Sequence, residues 1–111
     1  MIYLTKEDSR KGKKLIQYAQ KEYQKELRKI ALKVKRGTKN SFRWIDMAER
    51  AKWDVENKYI SESRHHFGWY NKFEKQISEA VESIDRNIFA KQTQFSGFMY
   101  DFSNEKLLSI I

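Results

Sequence analysis

Lys14, Lys21, Lys25, Arg28, Lys29, Lys35 and Arg36 recur at helical spacing. Lys14 to Lys21, Arg28 to Lys35 and Lys29 to Arg36 are seven residues apart, and Lys21, Lys25 and Lys29 follow one another in steps of four. At 100° per residue these seven side chains share an arc of about 120°. Arg10 and Lys11 join them if the helix extends back past Gly12, and Lys39 and Arg43 continue the row beyond Gly37. A row of fixed positive charges suits a polyanion, because each phosphate neutralised releases condensed counterion. The two arginines can meet phosphate oxygens bidentately, whereas the lysines act as point charges.

This row accounts for the charge of the chain. The first 43 residues hold 14 Lys/Arg and four Asp/Glu, while the other 68 hold nine and eleven, so the net charge of +8 is concentrated at one end. Like charges four residues apart destabilise an isolated helix by about 0.2–0.5 kcal/mol per pair. Helix stability is therefore no reason for the alignment. Glu22 and Glu26 lie towards the core edge and do little to neutralise the outer arc. The expected partner is nucleic acid, met through phosphates with little reading of base sequence, or an acidic protein or nucleoprotein surface. A membrane surface is not expected, because the apolar stripe of this helix faces the core and contains no Trp or Phe.

Groups that could do catalysis are few. Glu62-Ser63-Arg64-His65 has the Glu-x-x-His step of helical metal sites, but a di-metal bundle needs two such steps and two further carboxylates. Asp54-Val55-Glu56-Asn57-Lys58 carries the Glu-x-Lys spacing of metal-dependent nucleases, yet it sits inside a helical pattern rather than at a strand end. Glu79, Glu82 and Asp85 share a polar face and are expected to give solubility or to pair with Lys75 and Arg86. His65-His66 reads as part of a surface connector. No glycine-rich phosphate loop, zinc pattern or Ser/His/Asp set is legible, and there is no cysteine. The expectation is a non-catalytic binding protein without metal or cofactor.

The elements that must position the basic row are helical. The chain of 111 residues has no proline, which favours long uninterrupted helices, and its length suits one domain, residues 1–111. A first helix is expected over about 13–36, with the stripe Ile16, Ala19, Tyr23, Leu27, Ile30 and Val34 facing inward and Gly37 as the stop. Thr5 or Ser9 are candidate caps, and Gly12 makes the first turn uncertain. A second helix spans about 41–63, capped by Asn40 or Ser41, with the stripe Trp44, Ala48, Ala51, Val55 and Tyr59. A third runs over about 69–91 through Phe73, Ile77, Ala80, Val81, Ile84 and Ile88. After Gln92 an aromatic tail surrounds Gly97, and Ser103 caps a short last helix. The fold class is all-α: a three-helix, possibly four-helix, antiparallel bundle with the aromatic tail packed back on it. An α/β fold is disfavoured because no segment sustains period-two alternation.

Phe42, Trp53 and Ile60 lie opposite the main stripe of the second helix. They are a candidate protein interface or homodimer patch. They support the alternative of a small inhibitor or adaptor, such as a phage or mobile-element accessory protein, docking on an acidic or nucleic-acid-binding surface. No segment approaches the ~20 apolar residues of a membrane span. Met1-Ile2-Tyr3-Leu4 lacks the order of a secretion signal. With no cysteine, a reducing, cytoplasmic setting is expected.

Overall fold

The structure, a computed structural model, describes residues 5–37, 41–92 and 98–111. Three long helices, α1 (Lys6–Lys35), α2 (Ser41–Phe67) and α3 (Lys72–Phe89), are followed by the short strands β1 (Ala90–Gln92) and β2 (Phe98–Tyr100) and by α4 (Asn104–Leu108). The fold is essentially all-α, and the long helices pack against one another as a bundle.

Helix α1 begins well before residue 13 because its N-terminus is capped. The Thr5 hydroxyl accepts from the Asp8 N–H at 3.1 Å, and the Thr5 N–H donates back to Asp8 Oδ2 at 3.0 Å. This reciprocal box satisfies donors that the helix cannot pair internally. Gly12, which the sequence marks as a weak point, lies inside the helix and is buried. Its missing side chain is filled by α3: a Cβ there would overlap Cε1 and Cζ of Phe73. Gly12→Ala gains about 1 kcal/mol of helix propensity but overpacks this crossing, which typically costs about 1–3 kcal/mol. The variant is expected to melt below the parent in a thermal scan, and a higher melting temperature would contradict the close approach.

Helix α1 ends at Gly37, whose φ of 74° is the left-handed conformation that glycine adopts freely. Helix α2 runs a turn further than residue 63. Its last turn holds His65 and His66, which are therefore helical rather than in a connector. Gly68 (φ 87°) and Tyr70 (φ 58°) then make the corner. Asn71 caps α3, which starts at Lys72 rather than near 69: its side chain accepts from the Phe73 N–H at 3.0 Å, while its own N–H donates to Glu74 Oε2 at 3.0 Å. The same Asn71 amide donates to the fully buried Ser63 hydroxyl at 3.1 Å, and Arg64 clasps Glu74 through Nε (2.9 Å) and Nη2 (2.7 Å). Four polar residues thus fix the angle between α2 and α3.

Contacts between helices give the directions. Lys58 reaches Glu22, and Arg64 reaches Glu74, so α2 is antiparallel to both neighbours. Gln20 donates to the Ala80 carbonyl and Tyr23 to Asp85, so α1 and α3 run parallel. Ala19, Tyr23, Leu27, Trp44, Val55, Ile77, Val81 and Phe89 form the shared core. The tail folds back on it as expected. The described strands pair antiparallel with Ala90 opposite Tyr100, a feature too short to show strand alternation in the sequence. Phe102 meets the Phe89 ring at 5.2 Å, Trp44 stacks on Phe89 at 5.7 Å, and Leu107 is fully buried. Ser103 caps α4 by accepting from the Lys106 N–H. Caps at Asn40 or Ser41 fall outside the described side chains.

Candidate nucleic-acid interface

Because α1 is continuous, its basic residues form one ridge. Lys14, Lys21, Lys25, Arg28, Lys29, Lys35 and Arg36 are all exposed, and the ridge from Lys14 to Arg36 is about 33 Å long at 1.5 Å per residue. Arg10 and Lys11 are exposed on the same helix and extend it. Lys29 pairs with Glu26 at 3.4 Å. Among the described residues the other six make no ion pair. Lys39 lies outside the described residues, as does the side chain of Arg43.

The ridge has two flanks. On one, Lys21, Gln24, Lys25, Leu27 and Arg28 border a groove of about 360 Å³ whose far wall is Ile88 and Ile110. On the other, Tyr18, Lys21, Lys25 and Lys29 face Glu22, Glu26 and Tyr59 across a groove of about 380 Å³. Lys21 and Lys25 stand on the crest between them. Glu22 is engaged by Lys58 at 3.0 and 3.3 Å. Burial raises its pKa, but the bonds from Lys58 and Tyr59 outweigh that, and its carboxyl is held below the ordinary value. Two exposed large hydrophobic side chains lie within the basic arc: Tyr18 (48% exposed) and Leu32 (38%). Their helical angles, which match those of Lys25 and Lys14, were the available signal.

A second polar cluster lies between α1, α2, α3 and the tail. Tyr23 donates to Asp85, Lys52 donates to Glu82 and to Asp85 (3.2 Å), and Tyr100 donates to Glu82 at 2.6 Å. Glu82 and Asp85 therefore point inward rather than acting as a solvated face, while Glu79 pairs with Lys75 at 3.9 Å as expected. With Trp44, Phe89 and Phe102 the cluster lines a cavity of about 170 Å³. Burial, reinforced by the bond to Asp85, pushes the Tyr23 hydroxyl far up, so it stays protonated. Burial would lower Lys52, but its two carboxylates more than reverse that and hold it charged. Each oxygen of the Glu82 and Asp85 carboxylates has a donor.

These pairs set a pH dependence. The Arg64 guanidinium holds Glu74 below the usual glutamate value of 4.5. Burial raises Glu82, but its bonds with Lys52 and Tyr100 outweigh this, and the net direction is also down from 4.5. A carboxylate depressed on folding stabilises the fold above its unfolded pKa, and that contribution is lost as pH falls through the folded value. Burial raises Glu56, which acts in the opposite sense. Denaturant midpoints are expected to fall on acidification below about pH 4.5, and Glu74→Gln to flatten that limb. A midpoint independent of pH from neutrality to strong acid would contradict this pairing.

The remaining candidates disperse. Asp54 is exposed, Glu56 turns towards Lys52, and Lys58 turns to Glu22, so the Glu-x-Lys spacing does not converge. His66 lies 3.6 Å from Glu62 and His65 stands edge-on to it. Among the described residues no group of three or more His, Cys, Asp or Glu is placed to hold a metal ion. Trp53 is 65% exposed, Ile60 packs at the margin of the core, and the Phe42 side chain lies outside the described ones. Trp69 and Tyr70 protrude at the α2–α3 corner, with the Arg64 guanidinium 4.4 Å above the Trp69 ring. No described helix is long and apolar enough to cross a membrane. Comparisons with protein-family models, curated proteins and solved structures find no match.

Proposed function

We propose that the protein binds nucleic acid, without catalysis, by laying the α1 ridge along a phosphate backbone. The observation that supports this reading is the alignment of seven exposed cations on one 30-residue helix, six of them without an ion pair among the described residues. A solvated helix face gains stability when opposite charges alternate. This face instead accumulates repulsion, which an anion would relieve. Lysine predominates over the side chains that read base edges, so affinity comes from the backbone and sequence preference is weak. Lys39 and Arg43 would extend the site past Gly37.

Polarisation titration of labelled DNA and RNA at low salt tests the proposal. Dissociation constants of about 10⁻⁶ M or tighter are expected, since non-specific complexes lie near 10⁻⁴–10⁻⁶ M even at physiological salt. No binding at low salt overturns the reading.

The exposure of Trp53, Trp69 and Tyr70 favours one further reading, an adaptor or inhibitor that docks on an acidic or nucleoprotein partner. Capture from host extract before and after nuclease treatment separates the two. Partners retained after nuclease, and lost on Trp53→Ala but not on charge reversal in α1, would favour the adaptor.

A further inference from the structure

The basic ridge is interrupted by an aromatic ring. Tyr18 follows Lys14 by four residues and precedes Lys21 and Lys25 by three and seven, so it occupies the same helical stripe. It is 48% exposed, although most other rings on the bundle's inward stripes are buried. It opens onto the groove of about 380 Å³ that Lys21, Lys25 and Lys29 border on the ridge side and Glu22, Glu26 and Tyr59 border on the other. The groove therefore holds cations, an aromatic face and carboxylates together, with Lys29 paired to Glu26 across it.

Along its backbone duplex DNA offers such a surface phosphates and sugars, and its base faces are stacked out of reach. A single strand presents phosphates on one side and unpaired bases on the other. Base faces stack on aromatic rings, and exocyclic amino groups donate to carboxylates, as cytosine N4 does to Glu or Asp. We infer that the ridge is a single-strand site: Lys21 and Lys25 hold the backbone and one base stacks on Tyr18, beside the Lys29–Glu26 pair. This rests on the nucleic-acid reading above and specifies its substrate as single-stranded DNA or RNA.

The test compares polarisation titrations of a labelled single strand and its duplex, for the parent chain, Tyr18→Ala and Tyr18→Phe, with circular dichroism confirming helix content. Tyr18 is half-exposed and is not one of the buried core residues. Tyr18→Ala is expected to weaken single-strand binding roughly 5- to 150-fold, the range of one base–aromatic stack, and to leave duplex binding within about twofold. Tyr18→Phe, which keeps the ring, should match the parent on both. Equal losses on both polymers, or no loss on the single strand, overturn the stacking site while leaving phosphate binding intact. A loss in Tyr18→Phe equal to that in Tyr18→Ala would overturn it too, assigning the effect to the hydroxyl. Failure of the parent to bind either polymer would instead remove the underlying nucleic-acid reading.

Discussion

The triple reversal Lys21→Glu, Lys25→Glu and Arg28→Glu is expected to weaken nucleic-acid binding by about 100-fold or more at 0.1 M salt, on the scale of roughly 1 kcal/mol of counterion release per phosphate contact. These residues hold the crest of the ridge and border its two grooves. The reversal changes the net charge from +8 to +2 and puts repulsion where three contacts stood. The fold should tolerate it. All three side chains are exposed, and none forms an ion pair among the described residues. Glu at 25 would also face Lys21 or Lys29 if placed singly, turning repulsive i,i+4 neighbours into attractive ones worth about 0.2–0.5 kcal/mol. Binding and stability are therefore predicted to separate. Binding lost together with cooperative unfolding would mean the ridge has a structural role, and unchanged binding would remove it from the interface.

The largest expected effect on stability lies at Lys52. It bonds both Glu82 and Asp85, and Glu56 adds its field to the same place. Lys52→Met removes the cation these two carboxylates share, with Arg86 left to act on Glu82. Breaking a buried pair costs about 3–5 kcal/mol. Lys52 retains 23% side-chain exposure, so about 2–4 kcal/mol is expected, or roughly 10 °C in melting temperature. The damage should extend to the tail, because Tyr100 is tied to the same Glu82. Lys52→Met combined with Glu82→Gln should recover part of the loss by removing one unpaired charge. A Lys52→Met variant that melts with the parent would show that the cluster is solvated rather than structural.

The helices were legible because their apolar stripes keep a 3.6-residue period. Ile77, Val81 and Ile84 in α3, and Ala19, Tyr23 and Leu27 in α1, are buried as their angles require. The true start of α1 was not, because Gly12 weakens a helix locally and the Phe73 ring that accounts for it lies on another helix. Glu82 and Asp85 look like a solvated face when α3 is read alone. Their inward role comes from Lys52 on α2 and Tyr100 on β2, which no local pattern reveals. Gly68, close behind His65 and His66, gives them the look of a connector in the sequence, but the chain leaves the helix only at Gly68 itself. The exposure of the basic side chains from Lys14 to Arg36 was legible as a direction of charge. Tyr18 among them was not, since a lone tyrosine between lysines is weighed as neither core nor charge.

Salt dependence of binding tests the central claim most directly. A ridge that meets about five phosphates predicts a linear fall of log K with log salt, with a slope near −3.5 for a single strand and near −4.5 for duplex, at about 0.7 and 0.9 per contact. The triple reversal should reduce that slope by about 2 or more. A slope near zero, or one that the reversal leaves unchanged, would contradict binding through the α1 ridge.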